Sequence, residues 1–146
     1  MKKRKKGNDN MNENNFYTLK GYKIKNQKKI TEAMEDYIEM IYRETKNKEI
    51  TIKHLSELLH VKPASTSKMI NRLKKLKIVN FEKYSTITLT KKGIKKGKYL
   101  MWRHKTLEQF LKKINKKNYK LEQIEKIEHY IDHITLINIK KIIKNI

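Results

Sequence analysis

None of the 146 residues is cysteine, which excludes disulfides and removes thiolates from any list of metal ligands. No run of about 18 apolar residues occurs, so no membrane span is expected. An apolar stretch is also missing after Lys2, Lys3, Arg4, Lys5 and Lys6, where a secretory signal would need one. These absences make the cytoplasm the expected location. Acidic residues are scarce too: 15 Asp and Glu face 37 Lys and Arg, a formal net charge of +22. Such an excess suits a polyanion, because basic side chains displace condensed counterions from phosphates. Lys, Asn and Ile are abundant throughout, however, as an AT-rich genome would impose on any protein. Charge alone therefore assigns no partner.

Residues 1–28 combine the basic cluster with an Asn-rich stretch and little apolar periodicity, and they read as a disordered arm. From Ile30 the pattern is helical, with Met34, Tyr37, Ile38, Ile41 and Tyr42 on one face. Thr51 suits the cap of a short second helix carrying Ile52, Leu55, Leu58 and Leu59. A tight turn at His60–Lys62 follows, and the only proline of the chain, Pro63, suits the first position of a third helix reaching about Leu76. Its inward residues are Met69, Ile70, Leu73 and Leu76. Residues 78–84 and 86–89 are β-branched and aromatic and read as a hairpin. Thr90 then caps a long helix to about Ile114, followed by a helix over about Leu121–Ile131 and a last one capped by Asp132 or Thr135.

Helix, short helix, turn, helix and two-stranded wing is the order of a winged helix-turn-helix. The fold class expected is mainly α: a winged helix-turn-helix DNA-binding domain over 29–92, then an all-helical domain over 93–146. In such folds the third helix lies in the major groove. Its outward positions here are Ala64, Ser65, Ser67, Lys68, Asn71, Arg72 and Lys75. Short hydroxyls with interspersed cations suit base edges and phosphates, although one helix by itself reads equally well as a solvated face.

In so basic a chain, carboxylates at helical spacing stand out. Asp36 and Glu39 share one face of the first helix, and Glu125, Glu128 and His129 share a face of another. His104 lies between them in the long helix, near Trp102. Carboxylate oxygens with imidazole and no sulfur favour manganese, ferrous iron or zinc over copper(I). Carboxylates paired with surface lysines and a core histidine would give the same spacing. His54, His60 and His133 have no comparable surroundings and read as structural.

Residues 30–131 resemble the diphtheria-toxin-repressor family, in its manganese transport regulator branch. The resemblance rests on Met34–Glu39, Lys68-Met69-Ile70, Glu82-Lys83-Tyr84 with Leu89-Thr90, Arg103-His104 with Leu107–Leu111, and Ile127-Glu128-His129. It implies metal ligands at Asp36, Glu39, His104, Glu125, Glu128 and His129, with manganese, or alternatively ferrous iron, bound as two ions per subunit. Iron-responsive relatives carry methionine and cysteine at the positions of Asp36 and Glu125, and carboxylates there harden the site toward manganese. A homodimer through residues 119–146 is also implied. The chain departs from the family at Ser85 and Thr86, where the wing normally has arginine and glycine, and in its N-terminal arm. The SH3-like domain of longer relatives is not expected.

The resulting expectation is a dimeric repressor of metal-uptake genes that binds double-stranded operator DNA with metal as corepressor, takes no small-molecule substrate and has no membrane partner. A metal-independent winged-helix regulator is the alternative. Clustered carboxylates also suit a binuclear metallohydrolase, but no nucleophile motif or separate substrate region is evident. No catalytic residue is assigned, and the chain is read as not an enzyme.

Overall fold

A computed structural model describes residues 18–25, 29–45 and 49–146. The basic cluster Lys2–Lys6 lies outside the described residues. Within the arm expected to be disordered, Leu19–Lys25 forms a short helix, α1. Thr18 starts it by accepting the Gly21 N–H at 3.1 Å, a local cap that periodicity does not reveal. This segment belongs to a unit ending at Ile30, and a second unit runs from Thr31 to Ile146.

That unit begins with α2 (Glu32–Glu44), whose cap Thr31 accepts from the Met34 N–H. Glu32 and Glu35 in its first turn favour the positive helix end. The short α3 (Ile52–Leu58) is capped by Thr51 as expected, and α4 (Pro63–Lys75) starts on Pro63. His60 takes a left-handed φ of 54° in the turn between them. Ile38, Ile41, Leu55, Ile70 and Leu73 are fully buried and form the core of this half, with Ile50, Ile78 and Ile87.

The wing is shorter than the expected 78–89 hairpin. Only β1 (Val79–Asn80) and β2 (Thr88–Leu89) pair, antiparallel, with Val79 opposite Leu89. Ile87 leaves the pair to donate its N–H to the Ile50 carbonyl at 2.7 Å. Between the strands, the Ser85 hydroxyl accepts from the Glu82 N–H and donates to the Glu82 carbonyl, 3.2 and 2.8 Å. That side chain closes the turn, and Tyr84 takes a left-handed φ of 64°.

The long α5 (Lys91–Asn115) packs against α2 on one side and α7 (His133–Ile143) on the other. Two glycines set its approach. A Cβ on Gly93 would stand 2.2 Å from the Ile78 carbonyl oxygen, and one on Gly97 would stand 2.7 Å from the Tyr42 side chain. Beyond the 3-10 turn at Lys116–Asn118 comes α6 (Leu121–Ile127). It stops short of the expected Ile131, because Glu128–Tyr130 tightens into a 3-10 turn and Ile131 turns extended before Asp132 caps α7. Leu107, Leu111, Ile124 and Leu136 make the core of this half, with Trp102, Phe110 and Tyr119 packed on it.

Alanine is ordinarily a better helix former than glycine by about 1 kcal/mol. At position 93 the carbonyl contact should reverse that sign: Gly93→Ala should lower stability by about 1–3 kcal/mol, an overpacking cost. A thermal unfolding midpoint equal to or above that of the parent chain would contradict the close approach of α5 to the Ile78 carbonyl.

Candidate metal centre and nucleic-acid interface

The polar face of α2 opposes the middle of α5 and the 128–130 turn. Because α2 places Glu35 and Glu39 four residues apart, both fall on its buried side, while Asp36 is turned outward with a side chain 48% exposed. On α5, the successive residues Arg103 and His104 are both buried but serve different partners. His104 Nδ1 lies 2.8 Å from Glu128 Oε2, 3.6 Å from Glu125 Oε1 and 3.9 Å from Glu39 Oε1. His129 Nε2 lies 3.1 Å from Asp36 Oδ1.

Five of the six residues singled out in the sequence thus fall into two overlapping groups rather than one. Asp36, Glu128 and His129 offer ligand atoms within 4.8 Å of one another, and so do Glu39, His104 and Glu128. Glu128 is common to both. Glu125 belongs to neither group: its Oε1 lies 3.6 Å from His104 Nδ1, and its side chain is 49% exposed. The helical face drawn through Glu125, Glu128 and His129 is corrected: Glu125 is on α6, whereas Glu128 and His129 belong to the 3-10 turn that follows.

Charge explains how this much acid is tolerated. The His104 imidazole is raised above its ordinary range, first by its hydrogen bond to Glu128, with burial opposing and the Glu128, Glu39 and Glu125 charges adding. His129 is pushed up to about 10 by hydrogen bonds to Asp36 and then Glu35. Burial, helped by the Glu128 charge, raises Glu125. The donor set fits a hard divalent cation on an observation independent of spacing: Glu128 is wholly buried, yet its Oε1 has no hydrogen-bond partner. A buried carboxylate oxygen left so is costly, and a cation shared by the two groups would satisfy it.

One residue of this site was not singled out from the sequence. Glu35 is buried, with Arg103 at 3.2 Å, Lys96 at 3.3 Å and His129 at 3.2 Å. Burial by itself would raise its carboxyl, but the His129 hydrogen bond and the charges of Arg103 and Lys96 outweigh that and hold it at about 2. Three acids within five residues of a basic chain were a signal; which of them turned inward was not readable.

The second surface is on α4. Ala64, Ser65, Lys68, Asn71, Arg72 and Lys75 are exposed along it, whereas Ser67 is half-buried. Ser67 turns toward a groove of about 710 Å³ between α4, the start of α3 and the wing. Asn71, Lys74, Lys53 and Thr51 line it, with Phe81–Ser85 opposite. Tyr84 stands at the wing tip, 93% exposed, with Lys83 5.1 Å over its ring.

Comparison with known proteins matches two domain descriptions in succession along the chain. Residues 29–87 match the domain described as "Iron dependent repressor, N-terminal DNA binding domain", and residues 90–146 match "Iron dependent repressor, metal binding and dimerisation domain". The HTH-type transcriptional regulator MntR of Bacillus subtilis (strain 168) is 42% identical over 103 residues, covering 69% of this chain and 72% of that relative. The regulator of the same name from Lysinibacillus sphaericus (strain C3-41) is also 42% identical, over 69% and 74%. Among solved structures, the manganese regulator SloR superposes with a TM-score of 0.66 at 28% identity, and the metal-dependent transcriptional regulator MtsR with 0.68 at 26%. Both cover 76% of this chain, which spans about half of theirs, 53%.

Burial predicts unequal costs in the absence of metal. Truncating buried Glu128 to alanine strands His104, and losing one partner of a buried pair costs about 3–5 kcal/mol. Asp36→Ala removes a half-exposed partner and should cost no more than about 1 kcal/mol. Urea unfolding in the presence of a chelator measures both. Equal costs would contradict the buried position of Glu128.

Proposed function

The chain belongs to the iron-dependent repressor family, and on that premise we propose that it is a homodimeric, manganese-activated repressor of metal-uptake genes in the cytoplasm, acting on operator DNA rather than on a substrate. Among the described residues no helix is long and apolar enough to cross a membrane.

The observation that carries this reading is Glu128, buried and shared between the two carboxylate–imidazole groups with one oxygen unpartnered. Asp36, Glu128 and His129 would hold one ion and Glu39, His104 and Glu128 a second, with Glu125 near enough to His104 to join. Manganese supplies positive charge and oxygen–nitrogen coordination there, not a reaction; hard oxygens and the lack of sulfur favour it or ferrous iron. The residues do the rest. Asp36 and Glu39 come from α2, in the part proposed to be the DNA-binding domain over 29–92, and His104, Glu128 and His129 from the part proposed for metal binding and dimerisation over 93–146. Holding those side chains together fixes α4 of one protomer relative to α4 of its partner, and so sets the spacing of two operator half-sites.

On α4, Lys68, Asn71, Arg72 and Lys75 would meet bases and phosphates, with Ala64, Ser65 and Ser67 at the end that enters the groove first. The wing contact falls to Lys83 and Tyr84 in place of the family's arginine.

A second reading keeps the DNA surface and dispenses with metal. The ion pairs of His104, His129 and Arg103 with Glu128, Asp36 and Glu35 already join the same elements. Operator affinity titrated with manganese separates the two, since only the first requires the metal.

Because Asp36 is half exposed, Asp36→Ala is the clean probe of activation. It should leave a folded dimer whose operator affinity no longer rises with manganese, read by fluorescence anisotropy. Full activation in that variant would contradict the ligand assignment. Lys68→Ala and Arg72→Ala should each weaken operator binding, by about 1–3 kcal/mol for a base contact or with a salt slope flatter by about one for a phosphate contact. Unaltered affinity in both, with native circular dichroism, would remove α4 from the interface.

A further inference from the structure

Glu35 lies beside a proposed ligand without itself being offered as one, and its two oxygens are divided between different partners. Oε2 is taken by Arg103 Nη1 at 3.2 Å and Lys96 Nζ at 3.3 Å. Oε1, with Arg103 Nη1 more distant at 3.4 Å, faces His129 Nδ1 at 3.2 Å. Two cations on one oxygen leave Glu35 little capacity for a metal, but a well-anchored acceptor for the imidazole.

The direction of that last bond follows from chemistry. An ionised carboxylate only accepts, so Nδ1 must carry the proton. Arg103 Nη2 also lies 3.4 Å from Nδ1, and a guanidinium only donates. Were Nδ1 to accept from it, its lone pair would face the nearer Glu35 oxygen, which is repulsive. With Nδ1–H committed to Glu35, the nitrogen turned toward Asp36 Oδ1, at 3.1 Å, is Nε2.

We propose that Glu35 is a positioning residue for His129: anchored by Arg103 and Lys96, it holds the Nδ1–H of the imidazole and so presents Nε2 to the Asp36–Glu128 site. The inference rests on the reading of that site as a metal centre. It adds a division of labour along α2, where Glu35 orients and the adjacent Asp36 ligates. Histidines that bind metals commonly donate the other ring N–H in this way, and losing the acceptor weakens metal affinity by about 10–100-fold. Arg103 acquires a role as well, tying the orienting group to α5 one residue before His104.

The test uses the full chain with ¹⁵N-labelled histidine, loaded with ¹¹³Cd²⁺ and observed by NMR. Cadmium coupling should appear on His129 Nε2, with Nδ1 still protonated. Glu35→Gln keeps the size of the side chain and removes its charge. In that variant manganese affinity at this site should fall by about 10–100-fold, while the cadmium-coupled resonance of His104 persists. Cadmium on Nδ1 of His129, or a manganese affinity in Glu35→Gln equal to that of the parent chain, would overturn the proposal while leaving the metal reading intact. If the parent chain bound neither manganese nor cadmium, the metal reading would fail and this proposal with it. The nitrogen assignment is read on the parent chain and does not depend on how the variant folds.

Discussion

A carboxylate taken wholly out of water must be met by positive charge, and Glu128 imposes that requirement on everything around it. Its side chain is fully buried, and one oxygen is satisfied by His104 at 2.8 Å. That partner sits on α5, which runs close against α2, an approach that Gly97 permits and that a Cβ there would obstruct by meeting the Tyr42 side chain. The pairing also requires the chain to break from α6 into the tight turn at Glu128–Tyr130, so that Glu128 and His129 point at α5 and α2 rather than along a helix face. The interior is thus built for a concentration of acid that the rest of this basic chain lacks, and each acid within it is matched by a histidine, an arginine or a lysine.

The same arrangement makes α2 a shared element. Its apolar side, Met34, Tyr37, Ile38 and Ile41, belongs to the core under α3 and α4, and its polar side carries Glu35, Asp36 and Glu39. Tyr37 follows Asp36 directly, and its hydroxyl meets Thr66 of α4 at 3.4 Å, both groups being buried. Whatever fixes the polar side of α2 therefore bears on the helix that presents Lys68 and Arg72. A loosely packed α2 would weaken that connection; its core residues are almost completely enclosed.

Much of this was legible in the residues. Capping side chains marked helix starts at Thr51 and Thr90, Asp132 was one of two candidate caps for α7, and Pro63 marked the start of α4, because these signals act within three residues of the terminus. Apolar spacing gave the buried faces of α2 and α4 for the same local reason. The wing was overestimated, since Phe81–Tyr84 has strand composition while the Ser85 hydroxyl bonds of the turn end the pairing early. Likewise α6 was drawn too long: helical spacing continues through Glu128 and His129, but their burial against α2 and α5 depends on residues far away in sequence. Glu35 was missed on similar grounds, because nothing local distinguishes an acid facing Arg103 across the fold from one facing water.

If α2 is shared in this way, manganese and operator DNA must strengthen each other's binding by one and the same factor. Isothermal titration of the full chain with manganese, alone and again in complex with its operator duplex, measures that factor from the metal side. The account predicts tighter manganese binding in the complex, by the factor with which manganese tightens operator binding. Equal manganese affinity with and without DNA would contradict it, and would reduce the acidic cluster to a structural brace.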